Sequence, residues 1–272
     1  MDIINEFTPI LLMVLATGLV GGVLAGLLGV GGGIVIVPVF EFALTLLGVD
    51  PGVRMHVAVA TSLATIVPTS ISSSRAHHQK GSVDLGLARS WAVAVFVGAL
   101  GGTLLASSVS GTVLSAVFGV VAVIVAVKML FASRDLTLAS AVPSGLAAKS
   151  ISAGIGALSS MMGIGGGTLS VPVLTLLSFP IHRAVGTSAL FGLIISVPAT
   201  LGYIWTGWNQ VGLPPGNLGY VSLIGLAVIS PVSILAAPLG ARLAHAMSQH
   251  RLSVLFGLFL LSVGVRMLYR LV

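Results

Sequence analysis

Gly29-Val30-Gly31-Gly32-Gly33-Ile34-Val35-Ile36-Val37-Pro38-Val39 returns 134 residues later as Gly163-Ile164-Gly165-Gly166-Gly167-Thr168-Leu169-Ser170-Val171-Pro172-Val173. Both copies lie inside runs that hold no Asp, Glu, Lys or Arg, Phe7 to Phe40 and Ser150 to His182. Ser90 to Val127 and Ala184 to Ala241 are equally free of charge. A helix that crosses a bilayer needs about 20 predominantly apolar residues. These runs supply them, whereas a membrane barrel would show short alternating strands between polar turns. The glycines therefore interrupt helices inside a membrane.

Composition agrees. Hydrophobic residues make up 56% of the chain and charged residues 7%, against roughly 25% charged in a soluble domain, and the mean hydropathy is +1.15. No cysteine is present, which excludes disulfides and thiolate metal sites. The formal charge is +6, but the basic residues are scattered between apolar tracts. They read as topology signals and lipid-headgroup contacts rather than as a nucleic-acid footprint. Asp2 and Glu6 with no basic residue make a poor signal peptide, so the first apolar stretch is expected to stay as a span.

The glycine motif is one of three blocks repeated in the same order. His56, Ala58, Val59 and Thr61-Ser62 match His182, Ala184, Val185 and Thr187-Ser188 at an offset of 126. Gly102, Leu105, Ala106, Ser110, Leu114, Phe118-Gly119 and Met129-Leu130 match Gly240, Leu243, Ala244, Ser248, Leu252, Phe256-Gly257 and Met267-Leu268 at an offset of 138. Helices are expected near 9–48 (broken at 29–33), 55–73, 85–107 and 111–131, and again near 145–179 (broken at 163–167), 184–204, 219–241 and 251–270. Gly22-x3-Gly26 and Gly98-x3-Gly102 are spacings that let helices approach closely. The predicted fold is an all-α polytopic membrane protein of one transmembrane domain. It has two repeats, 1–135 and 136–272, each a glycine-broken hairpin plus three transmembrane helices, roughly 8 to 10 membrane segments in all.

Charge in matching loops points to inverted repeats. The stretch after the second element of the first half carries Arg75, His77, His78 and Lys80; its counterpart, Trp205 to Gly219, carries none. The next pair reverses: Ala106 to Gly111 is uncharged, while Arg242, His245, His250 and Arg251 fill the matching loop. With each broken segment returning to its starting side, nine of the twelve basic residues are cytoplasmic, Arg134 among them, and Arg54, Arg266 and Arg270 are external. A parallel arrangement gives eight to four at best. Positive-inside bias therefore favours inversion, with both termini outside.

A helix broken inside a bilayer frees backbone donors and acceptors that lipid cannot satisfy, so the break must face protein or water. Gly31, Gly32 and Gly33 allow close approach to an unwound backbone. The helix that follows presents unpaired amides and a partial positive charge, which is an anion site. Gly165, Gly166 and Gly167 repeat it, and two such N-termini facing across a chamber would hold a small oxyanion. Gly29, Gly163, Pro38 and Pro172 support the breaks, the prolines as first-turn residues that lack an unneeded donor. The rival reading is that the glycines serve packing alone. A dinucleotide fingerprint does not fit, because no strand precedes the motif and no acid follows at the required distance.

Thr61, Ser62, Thr187 and Ser188 are candidate donors to anion oxygens, or else bond their own helix carbonyls. Glu41 is the single acid placed well inside an apolar stretch; it either carries a coupling proton or lies near the membrane surface. Lys128 and Arg266, opposite each other in the repeat, read as snorkelling cations. His77 and His78 read as solvated loop residues without metal-ligand spacing, so no metal and no cofactor are expected.

Two copies of Gly-x-Gly-Gly-Gly followed by Val-Pro, each followed by an Ala-x-x-Thr-Ser segment (Ala58 to Ser62, Ala184 to Ser188), resemble the sulfite exporter (TauE/SafE type) family. Arg75-Ala76-His77 to Gly81-Ser82-Val83-Asp84 is similar to that family's loop after its second conserved element. The resemblance implies a multi-pass inner-membrane transporter of sulfite, sulfonates or related small sulfur anions. The expected function is secondary transport by alternating access, with a proton or sodium ion as coupling ion where uptake requires one, as a monomer or homodimer among membrane lipids. An anion channel using the same half-helix site is the alternative. One intramembrane acid and no cysteine leave no paired catalytic groups, so an enzyme is not expected, and no Walker motif supplies ATP drive.

Overall fold

The computed structural model describes residues 2–131, 139 and 141–269. Arg134, Arg270 and the junction between the two expected repeats lie outside them. Among the described residues, the regular structure is helical apart from one short hairpin of two-residue strands. The first half runs α1 (Asp2–Leu28), α2 (Gly33–Leu46), α3 (Pro51–Gln79), α4 (Leu85–Ser107) and α5 (Gly111–Phe131). The second runs α6 (Gly145–Met162), α7 (Gly167–Leu176), α8 (Ile181–Thr206), β1 (Asn217–Leu218), β2 (Val221–Ser222), α9 (Leu223–Ala246) and α10 (Gln249–Tyr269). Six of these helices are long and apolar enough to cross a membrane, while α2 and α7 are too short to do so alone.

Both breaks fall where the glycines do. Gly32, just before α2, takes φ 81°, a left-handed conformation open to glycine at little cost. Gly163 ends α6 at φ 68° with its amide on Ser160 O, a left-handed helix stop. Pro38 and Pro172 correct the first-turn expectation. Each is the sixth residue of its half-helix, where it removes an interior hydrogen bond to Ile34 O or Thr168 O.

The second element is longer than expected. Asp50 caps α3, its Oδ1 accepting from Gly52 N at 2.7 Å, and Pro51 takes the first helical position; both are strong start signals. At the other end the helix continues through the basic stretch because His77 is buried. His77 therefore does not lie in a solvated loop, although His78 is exposed.

The packing follows the repeat. α1 lies on α9 as α6 lies on α4; α3 meets α9 as α8 meets α4; α2 meets α3 as α7 meets α8; α3 packs on α8 and α5 on α10. The two most buried spans, α3 and α8, form the centre. The α1–α9 and α4–α6 crossings are backbone to backbone. A Cβ on Gly26 would stand 1.8 Å from Ala237 O, one on Gly240 1.9 Å from Val23 O, and one on Gly98 2.0 Å from Ala153 O. The small-residue spacings are thus packing seams.

Polarity is distributed as a membrane demands. Val93, Val97, Leu104, Leu235 and Leu239 are exposed, whereas Thr61, Ser62, Thr65, Thr69, Ser70, Ser73 and His77 of α3 are buried. Lipid satisfies no hydroxyl, so these groups turn inward, away from it.

Candidate functional site

The two breaks touch. A Cβ on Gly33, the first residue of α2, would stand 2.2 Å from Gly163 O; one on Gly167, the first residue of α7, would stand 2.4 Å from Gly29 O. One on Gly165 would meet Val30 O at 2.2 Å and Gly31 Cα at 3.1 Å. Each half-helix therefore starts against the carbonyl that ends the other half's broken helix. Gly32 and Gly166 face their own halves, toward Gly21 O and Phe191. All these glycines are buried. The wet chamber expected between two opposed N-termini is closed in this arrangement by main-chain contact. A cavity of about 840 Å³ lies elsewhere, between α1, α2, α9 and residues 212–215, with Asp50 and Phe40 in its wall.

The four hydroxyls are placed by the repeat but used differently. Thr61 Oγ1 accepts from Ser222 N, and Thr187 Oγ1 accepts from Asp84 N, both at 2.9 Å. Ser222 and Asp84 are the N-caps of α9 and α4, so each threonine fixes the start of a helix in the opposite half. Neither result matches the reading in which these hydroxyls bond only their own helix. Asp84 also accepts from Leu87 N and pairs with Arg183. Ser62 Oγ donates to Gly163 O at 2.7 Å and so holds the second break. Ser188, its repeat counterpart, is fully buried without a hydrogen-bond partner.

Sequence reasoning missed the groups that close the upstream helix ends. His77 Nε2 donates to Gly26 O at 2.7 Å, and at the matching position Tyr203 Oη donates to Ser160 O at 3.4 Å. Ser73 Oγ adds a bond to Ala25 O at 3.2 Å. The signal was available, since His77 and Tyr203 share the 126-residue offset of the second block. A lost bond that strands a buried acceptor costs about 1–3 kcal/mol. His77→Phe should therefore lower the unfolding midpoint in detergent clearly, whereas Tyr203→Phe, giving up a longer bond, should shift it far less. Equal shifts would contradict the assigned roles.

Glu41 lies two turns or fewer from the exposed end of α2. Thr45 Oγ1 is 3.3 Å from Glu41 Oε1 and accepts from Arg54 Nη1 at 2.7 Å, a polar chain at the helix end rather than at the break. Lys128 does not snorkel. From α5 its Nζ donates to Pro172 O at 3.1 Å and Thr175 Oγ1 at 2.8 Å in the last turns of α7. Arg266 of α10 stands over the Phe42 ring of α2, 5.1 Å from its centroid. The last helix of each half thus reaches the half-helix of the other.

The sequence profile of the family described as sulfite exporter TauE/SafE matches residues 14–267. A probable membrane transporter protein of Haemophilus influenzae is 33% identical over 96% of this chain and 98% of its own. One from Methanocaldococcus jannaschii is 27% identical over 97% of both. The probable membrane transporter protein YunE of Bacillus subtilis is 24% identical over 93% of this chain and 95% of its own. No solved structure gives a significant match.

Proposed function

Because the chain belongs to the sulfite exporter TauE/SafE family of multi-pass membrane transporters, we propose that it is a secondary transporter of sulfite, an organosulfonate or a related sulfur oxoanion, bound at the glycine breaks. The observation that carries this reading is the mutual contact of the breaks. The starts of α2 and α7 each abut the other half's break at the buried centre, where a small anion would find amides and hydroxyls without a buried arginine.

Alternating access follows from the closed centre. Residues 1–135 and 136–272 act as inverted repeats, both termini external in an inner membrane, and one repeat rocks against the other to open the contact to either side. The contacts that pair α1–α9 with α6–α4 suit two units of one plan. Moving a dianion outward gains roughly 2.3 kcal/mol per charge per 100 mV of inside-negative potential. Export therefore needs no coupling ion, whereas uptake needs a proton or sodium ion.

The test is flux into proteoliposomes for a panel of sulfite, sulfate, thiosulfate and ethanesulfonate. Saturable uptake with counterflow is expected for sulfite or the sulfonate. Equal rates in empty vesicles across the panel would remove the proposal, and single-channel currents would replace it with the channel reading.

A further inference from the structure

The repeat makes the first half an internal reference for the second, and the two breaks differ. Ala25, Ile34 and Ile36 of the first half stand opposite Ser159, Thr168 and Ser170 of the second, and Ile66 stands opposite Gly192. Bulk and hydrocarbon at one break are matched by hydroxyls and space at the other. Ile66 fills its place, its Cγ2 lying 2.8 Å from the point where a Cβ on Gly31 would stand. At Gly192 that volume is free for Ser70 of α3, whose Oγ comes within 2.5 Å of the corresponding point, with Gly166 N 3.7 Å from it.

The hydroxyls on the second side are unspent. Ser70, Ser159, Thr168, Ser170 and Ser188 are at most 1% exposed and have no hydrogen-bond partner. Ser62, the counterpart of Ser188, is bonded to Gly163 O. Ser196, the counterpart of Ser70, is bonded to Leu193 O. Ser170 N bonds Gly166 O, which puts Ser170 one turn along α7 from Gly166. Ser188 is one turn before Gly192 on α8, and neighbours four apart share a helix face. Unpaired buried hydroxyls cost free energy, so a group of them at the start of α7 is stabilised by whatever accepts their hydrogen bonds.

We propose that the substrate head is held at the second break alone, by the hydroxyls of Ser70, Ser170 and Ser188 and the first amides of α7, with Gly192 keeping the space. This rests on the reading of the chain as an oxyanion transporter and makes its site one-sided. Donors arriving from α3, α7 and α8 suit a head with three acceptor oxygens, as in sulfite and sulfonates, better than a planar carboxylate with two. The apolar first break then faces whatever tail the anion carries.

The experiment measures thermal unfolding of the purified protein with and without sodium sulfite, ethanesulfonate or propionate, together with sulfite and ethanesulfonate flux in proteoliposomes. Ser70→Ala and Ser170→Ala should leave the ligand-free midpoint unchanged or higher, because each removes an unpaired hydroxyl. Both should raise the half-saturating concentration for flux about tenfold. Gly192→Ala should abolish the stabilisation by sulfite. Ser196→Ala, on the mirror side, should behave as wild type in flux. A wild-type protein that neither binds nor moves sulfite or ethanesulfonate overturns both the transport reading and this site. Wild-type flux with unaltered saturation in the two serine variants overturns the site and leaves transport standing. A lower ligand-free midpoint in those variants makes the hydroxyls structural and refutes the assignment, as does propionate stabilising as well as ethanesulfonate.

Discussion

Gly33→Val is expected to reduce flux by about 100-fold or more while leaving the protein inserted, and Gly167→Val is expected to do the same. The reason is steric and specific to the contact between halves. The added Cβ would stand 2.2 Å from Gly163 O in the first variant and 2.4 Å from Gly29 O in the second. A backbone carbonyl cannot rotate away as a side chain can, so the halves must separate or the half-helices must tilt. Insertion depends on apolar spans that neither change touches. Gly101 is the control, since a Cβ there meets nothing within 4 Å, and Gly101→Val should keep flux within about twofold, as surface changes generally do. Membrane-fraction yield, gel-filtration profile and proteoliposome flux are the three measurements. Normal flux in both break variants would mean that the contact between the breaks plays no part in transport.

The contrast with Gly32 and Gly166 shows what sequence reading reaches and where it stops. The interrupted helices, their glycines and the duplicated blocks are written in the order of residue types, because a left-handed stop and a run of 20 apolar residues are local requirements. Which side of a glycine faces a partner is a property of packing, and Gly33 and Gly32 look alike in a string. The same limit explains Pro38, whose place in the second turn depends on where the break releases the helix. It also explains α3, extended because His77 finds Gly26 O on another helix. Hydroxyl pairs were legible at Thr61-Ser62 and Thr187-Ser188 because they repeat. Thr168 and Ser170 are not legible in that way, because isoleucines, Ile34 and Ile36, stand at their counterparts.

Lys128 supplies the second large effect. Its ammonium sits among acceptors in the last turns of α7, on Pro172 O and Thr175 Oγ1, where a helix end carries partial negative charge. Hydrogen bonds from a charged donor contribute about 1.5–3 kcal/mol, so Lys128→Met should lower the unfolding midpoint and loosen α7, with flux falling in proportion. Lys128→Glu should be far worse. It sets a carboxylate against a carbonyl and the negative end of the half-helix, in the last turn of an apolar span. The expected outcome is no folded protein in detergent. Lys128→Arg should be the mildest of the three, because it keeps the charge and has enough donors for both acceptors. The snorkelling alternative differs in size: a cation that only sought headgroups would make methionine nearly harmless and arginine indistinguishable from wild type. The midpoint of Lys128→Met separates the two readings. A harmless Lys128→Met would mean that the last helix of the first half does not hold the half-helix of the second.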